Sequence, residues 1–352
     1  MEYAYIGSFT TKKRGGLEQG GISVFTKNKA EDTWQQIQIV NMVNPSFLAF
    51  GFNKHVLYAA QGDGCVITAF TIDEASGMIK FLNEKNIGFF NSVSLVVDKK
   101  SNFLFVACLN NGHGAVVTLK LKQDGSIGDI CNIYIPQGET GPLHPAQAGP
   151  QPHQVKFDLT NDYLIVCDKG LDQVSAFEVD YSNGALQLVS STKFPMSSCP
   201  RHIAFHPNKP LAFLLTEWIG GVIPCNYSKG NLTLIEVQKT VPKSYVGLRN
   251  VAAEIEIHPS GKFLYASNRG HNSLVAFKIL DSGCLEAINW YHEGIDKPRF
   301  FAITKDGKYI YCANEGSHSI TLFSVSEDTG RLTFLNTIMK ASAPGCILLK
   351  NS

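Results

Sequence analysis

Seven ionisable residues recur at matching places in a repeated pattern and an eighth enters with an insertion, and their types suit acid–base and anion chemistry. His153 follows Pro152, Arg201 follows Pro200 and Arg299 follows Pro298. Lys169, Glu217, Arg269 and Glu315 each stand four residues beyond a second recurring position, occupied by Ile165, Phe213, Tyr265 and Tyr311. Arg249 arrives with the segment VPKSYVGLRN (241–250). A histidine titrating near neutrality is the usual general base, and the planar fork of arginine suits an oxyanion, a carboxylate or a phosphate. Competing chemistries lack their residues. There is no G-x-S-x-G for a serine elbow and no G-x-G-x-x-G for a dinucleotide. His202 and His206 lie four apart with no third ligand at metal spacing, so neither a metal nor a cofactor is expected. Each residue also has a plainer reading: a histidine satisfied at a strand end, or arginines and glutamates tied in ion pairs. His206-Pro207 and His258-Pro259 are read as turn residues at the opposite end of the same elements.

The elements that must position these residues come from an internal repeat. Leu57-Tyr58, Leu104-Phe105, Leu164-Ile165, Ala212-Phe213, Leu264-Tyr265 and Ile310-Tyr311 recur at spacings of 46 to 60 residues. Each unit holds four short apolar segments of strand character, such as PRFFAIT, KYIYCANEG, HSITLFSV and RLTFLNT in 298–337. A pair ending in glycine separates the third and fourth: Ser76-Gly77, Asp124-Gly125, Asn183-Gly184, Lys229-Gly230, Ser282-Gly283 and Thr329-Gly330. Six units are complete. Residues 3–40 supply three more strands and 345–350 supply one, which together make a seventh. The expected fold is therefore all-β, one domain over 1–352. It is a seven-bladed β-propeller of four-stranded antiparallel blades, closed by the C-terminal strand joining the N-terminal blade. Numbering the complete units one to six, the ionisable residues fall in blades three to six at one mouth of the channel. Lys169, Arg201, Arg269 and Arg299 against Glu217 and Glu315 leave a local charge of +2. Such a funnel draws in a small anion. Two insertions, PQGETGPLHPAQAGP (136–150) and the stretch around 241–250, enter at the same mouth. Pro224, in the third strand of blade four, fits only if its missing N–H needs no ladder partner.

Composition narrows the classes further. The 352 residues are 44% hydrophobic and only 17% charged, which is globular. Thirty-one Lys and Arg against thirty Asp and Glu give a net charge of +1, against a nucleic-acid partner. The opening MEYAYIGSFT carries an acid and no apolar core, so no signal peptide is expected. No run reaches the ~18 apolar residues of a membrane span. Nine scattered cysteines without a C-x-x-C pair read as buried hydrophobes in a reducing compartment, and a cytoplasmic location follows as an expectation.

YIGSFT (5–10), GPQPHQVKF (149–157), CDKGLDQVSAF (167–177), CPRHIAFHP (199–207), LLTEW (214–218) and SNRGHNSLVAF (267–277) resemble the seven-bladed lactonase family. That family holds propeller-type 6-phosphogluconolactonases and the fungal carboxy-cis,cis-muconate cyclase. The resemblance spans nearly the whole chain, and in the cyclase branch it implies a metal-free site of a His, an Arg, a Glu and a second Arg. These match His153, Arg201, Glu217 and Arg269. The expected activity is hydrolysis of a sugar lactone, 6-phospho-D-glucono-1,5-lactone of the pentose phosphate pathway. His153 would act as base, Arg201 would hold the oxyanion, and Glu217 would orient the water or His153. Lys169, Arg249, Arg269, Arg299 and Glu315 would contact a phosphosugar. Two alternatives stand beside this: a muconate-type cycloisomerase, and a non-catalytic interaction scaffold, which would call for an apolar mouth.

Overall fold

The computed structural model describes residues 1–351 except 19, 29–32 and 248. Seven antiparallel sheets are arranged so that each runs first, second, third and fourth strand from the axis outward. Blade three illustrates the order: Pro152–Phe157, Leu164–Asp168, Gln173–Asp180 and Ala185–Lys193. Among the described residues there is no α-helix, only two single-turn 3-10 helices, Lys12–Arg14 and Asn110–Gly112.

The ring closes as the split repeat requires. Pro344–Asn351 pairs antiparallel with Glu2–Ser8, with Ile347 opposite Ile6 and Cys346 opposite Gly7. Side chains alternate across a strand, and here both faces are buried. Tyr3 and Tyr5 pack toward Leu48 and Leu57 of blade one, whereas Ala4 and Ile6 pack toward Tyr311 and Ala313 of blade six. Seven apolar clusters arise this way, one at each junction between neighbouring blades. The core is therefore a ring of sheet-on-sheet contacts.

The recurring hairpin glycines explain how blades lock together. Tyr5 Oη donates to the Gly77 carbonyl at 2.8 Å, Tyr58 to Gly125 at 2.6 Å and Tyr265 to Gly330 at 2.9 Å. In each case a second-strand tyrosine of one blade reaches the hairpin of the next. Gly77 takes φ +71°, and a Cβ there would collide with the ring of Tyr3, so both the turn and the docking demand glycine.

Blade four departs from the four-strand expectation. Its outer strand is split into Asn231–Leu234 and Gln238–Lys239, both paired with Gly221–Ser228. Pro224 is the cause. Its carbonyl accepts the Ile235 amide at 2.9 Å, so its N side also faces the outer strand, where it has no hydrogen to offer. The ladder toward the inner strand is untouched, and the outer one breaks over 235–237.

Candidate active site

The inner strands begin with a fault in pairing that places the site. In blades one, two, three, four and six the first strand slips by one residue against the second. The slips fall between Pro45 and Phe47, Ser92 and Ser94, Pro152 and Gln154, Pro200 and His202, and Pro298 and Phe300. The bulged residues are Ser46, Val93, His153, Arg201 and Arg299. A bulge re-aims the side chain it carries, here to the mouth of the channel. Proline suits the position before it, because the first residue of a strand can spare its N–H.

The second strands contribute from their ends. In blades three and five a buried polar residue at or next to the strand's end ties down the loop beyond it. Asp168 Oδ1 accepts the amides of Gln151, Gly170 and Leu171 at 2.9 to 3.0 Å. Asn268 Nδ2 donates to the Thr240 carbonyl at 2.8 Å. Lys169 and Arg269 are the residues that follow. The insertion 136–150 is pinned against this edge: the Gly141 amide reaches the Gly170 carbonyl at 2.9 Å, and Gln147 Nε2 the Lys169 carbonyl at 2.8 Å. A Cβ at Gly149 would strike the carbonyl of Gly112, and one at Gly170 that of Gly149, so the backbones meet where only glycine fits.

Glu217 is the hub. Its carboxylate meets Arg269 Nη2 at 2.9 Å and Lys169 Nζ at 3.5 Å, with its side chain 15% exposed. Burial alone would raise its pKa, but the charges of Lys169, Arg269 and Arg201 together hold it well below the usual range. His153 is buried, and that burial, then Arg201 and His202, push its pKa well below 6.5 against the pull of Glu217. The imidazole is thus neutral at pH 7, and its Nδ1 has no hydrogen-bond partner. Arg201, 3% exposed, also has an unpartnered buried Nε. Arg299 pairs with Glu315 at 3.3 Å and lies over the Phe9 ring at 4.9 Å. A narrow cleft lies between His153, Arg201, His202, Arg299, Phe9 and Phe300.

All eight sequence-predicted residues gather at this mouth, in two adjoining groups. His153, Lys169, Arg201, Glu217 and Arg269 interact directly or through their charges, and Arg299 with Glu315 forms the neighbouring pair. Arg249 sits on the rim, its guanidinium stacked on Trp218. Sequence reasoning missed several contributors. Arg14, from the first loop of the seventh blade, is ion-paired with Asp63 of blade one and closes the rim beside Phe9. His202 and Glu254 lie below the mouth in the channel wall, Nδ1 to Oε1 at 2.8 Å. The signal for Glu254 was present: Glu254 and Glu256 alternate within the otherwise apolar strand Val251–Ile257. His206 and His258 do serve as turn residues. His206 Nδ1 accepts the amides of Asn208 and Lys209, and His258 Nδ1 that of Ser260. Arg249 adds one positive charge to the mouth and Glu254 one negative charge beneath it, so the balance of +2 stands.

Among the described residues, no three His, Cys, Asp or Glu are grouped to hold a metal ion, and no helix is long and apolar enough to cross a membrane. All nine cysteines are free, and six of them are buried.

Residues 3–349 match the family described as "Lactonase, 7-bladed beta-propeller". A protein of Formosa agariphila named 6-phosphogluconolactonase is 33% identical over 311 residues, covering 85% of each chain. The 6-phosphogluconolactonase of Bacillus subtilis is 29% identical over 350 residues, 97% of each. Among solved structures, a Lactobacillus plantarum protein superposes with a TM-score of 0.89 at 26% identity, covering 99% of each chain. The periplasmic gluconolactonase of Pseudomonas aeruginosa gives 0.88 over 99% of each, at 23% identity, a likeness of fold alone. Bulged His and Arg residues at the mouth of a closed seven-bladed ring, and a match over nearly its full length, lead to one conclusion: the chain belongs to the lactonase family of seven-bladed β-propeller enzymes.

Proposed function

We propose that the protein hydrolyses 6-phospho-D-glucono-1,5-lactone to 6-phosphogluconate. The observation that carries this reading is a neutral, buried His153 with a free Nδ1, set beside the incompletely bonded guanidinium of Arg201. Lactone opening needs a base for water, a donor for the oxyanion and a proton for the leaving ring oxygen. His153 takes the proton from water as the oxygen attacks C1. Arg201 stabilises the charge that develops on the carbonyl oxygen. The imidazolium then returns the proton to the ring oxygen as the C1–O bond breaks, and the new carboxylic acid ionises. Glu217, kept ionised by Lys169 and Arg269, stabilises the transient imidazolium. Arg269, Arg299, Lys169 and Arg249 supply a positive surface for the phosphate, and Glu315 orients Arg299.

A mouth lined with ion pairs supports this reading over a scaffold, which would present apolar surface there. The names of the curated relatives favour lactone hydrolysis over cycloisomerisation. Free cysteines and a phosphorylated sugar substrate fit a cytoplasmic enzyme of the pentose phosphate pathway.

The test is a coupled assay in which freshly generated 6-phosphogluconolactone is offered to the protein and spontaneous hydrolysis is subtracted. Acceleration of the phosphorylated lactone well above that of glucono-1,5-lactone is the expected result. Equal rates on both would remove the phosphate from the proposal, and no acceleration of either would overturn it.

A further inference from the structure

Beneath the mouth, three side chains from blades four and five form a line. Glu254 Oε1 lies 2.8 Å from His202 Nδ1, and His202 Nε2 lies 3.2 Å from Arg201 Nη1. All three residues are at least 96% buried. The hydrogens along the line follow from charge. Glu254 is ionised: burial would lift its pKa, but His202, Arg201 and the Ile255 amide outweigh it. A carboxylate only accepts, so Nδ1 of His202 carries the hydrogen. Burial depresses His202 to about 4 despite Glu254, so at pH 7 the ring is neutral and Nε2 holds a lone pair. Arg201 Nη1 rests against that ring, 3.2 Å from Nε2 and 3.4 Å from Nδ1.

We propose that Glu254 and His202 are positioning residues for Arg201, a carboxylate–imidazole pair that fixes the guanidinium where the oxyanion of the lactone reaction forms. This rests on the lactonase reading of the site. Two observations separate it from ordinary channel packing. First, a buried carboxylate is costly to desolvate, and well-packed apolar side chains in its place do as well or better for stability. The residues after the bulge in blades one, two, three and six are Phe47, Ser94, Gln154 and Phe300, all uncharged. Among the described residues, it is beneath Arg201 that the wall brings a histidine and a carboxylate together; the other carboxylate of blade five's inner strand, Glu256, accepts the Ile303 amide instead. Second, Glu254 occupies in blade five the place after the slip that His202 holds in blade four. The pairing slip there runs from Ala252 to Ile255, and the Glu254 amide, off the ladder, donates to Ser267 Oγ at 3.0 Å. Arg201 needs such a hold. Glu217, the nearest carboxylate at the mouth, has its bonds to Lys169 and Arg269. His202 is the only hydrogen-bond partner found for Arg201's side chain among the described residues.

Two measurements decide the matter. Nitrogen-15 NMR of the imidazoles at neutral pH should show His202 protonated at Nδ1 and bare at Nε2, the minor form of a free neutral histidine. A ring protonated at Nε2 would overturn the proposal. This reading needs no substrate and no variant, so the two failures are distinguishable: a lactone left unopened with His202 protonated at Nδ1 fails the proposed function, whereas a lactone opened with His202 protonated at Nε2 fails this one. The kinetic arm uses Glu254→Gln. It should lower kcat about 10- to 100-fold while KM changes less than about twofold. Because Glu254 acts through Arg201, the same change placed on Arg201→Lys should cost far less than it does alone. Equal losses in both backgrounds, tracking a lowered melting temperature, would make Glu254 a packing residue and overturn the assignment.

Discussion

At the scale of single residues, the site turns on the protonation of one imidazole and the shape of two guanidiniums. His153 accepts a proton only while neutral, and its pKa lies well below 6.5. Activity should therefore hold through mildly acidic pH and fall only well below 6.5, as read from kcat against pH. His153→Asn keeps polarity and approximate size but cannot act as base. It should lose on the order of 10² or more in kcat with a nearly unchanged melting temperature. The sign of the stability effect is also fixed. A histidine whose folded pKa is depressed favours the fold above its unfolded value of about 6.5, and that contribution fades as pH falls through the folded one. His153→Asn should accordingly blunt acid unfolding; an unchanged acid midpoint would show that the buried ring is not what resists protonation. Arg201→Lys and Arg269→Lys keep the charge but lose the fork, so both should lower activity while the fold persists. Wild-type kinetics in both would make these arginines structural partners of His202 and Glu217.

At the scale of elements, bulges and glycines do the positioning. The site residues do not sit on regular strand; the pairing slips turn them to the mouth. The edge carrying Lys169 is held against the 136–150 insertion by glycine-to-backbone contact at Gly149 and Gly170. Gly170→Ala would force that contact apart and shift Lys169 and Gln147 together. We expect weakened substrate binding, read as a raised KM, with about 1–3 kcal/mol lost in stability by denaturant titration. If KM is unchanged in a folded Gly170→Ala protein, the insertion plays no part in shaping the mouth. Pro224 shows the converse case, a strand broken on its outer side where no functional residue depends on it.

At the scale of the whole molecule, the site exists only because the ring is closed. Its residues come from blades three to six, with Phe9 and Arg14 of the seventh completing the rim. The seventh blade is held by the pairing of Pro344–Asn351 with Glu2–Ser8, which buries Cys346 and Ile347. Deleting residues 341–352 would bare the edge of Glu2–Ser8 and open the channel wall. The truncated protein should aggregate or lose cooperative unfolding, as light scattering and thermal melts would report. A truncated chain melting like the full-length one would show that closure contributes nothing.

The repeat, the hairpin glycines and the halves of the seventh blade were legible in the sequence, because strand alternation and turn chemistry are local. From them came the fold, the charged mouth and seven of the candidate residues, with Arg249 entering by the 241–250 insertion. Proline before His153, Arg201 and Arg299 marked equivalent places without saying why they matter. The tertiary structure decided that, since a bulge is a relation between two strands. It also decided which charges meet: Glu217 lies with Lys169 of blade three and Arg269 of blade five, 48 and 52 residues away. His202 and Glu254 could not be paired from the sequence, because they lie on different inner strands, 52 residues apart. Only the curvature of the ring brings those strands side by side; the burial that results leaves the imidazole neutral, while the Arg201 charge and the hydrogen bonds to Glu254 keep the carboxylate ionised against it.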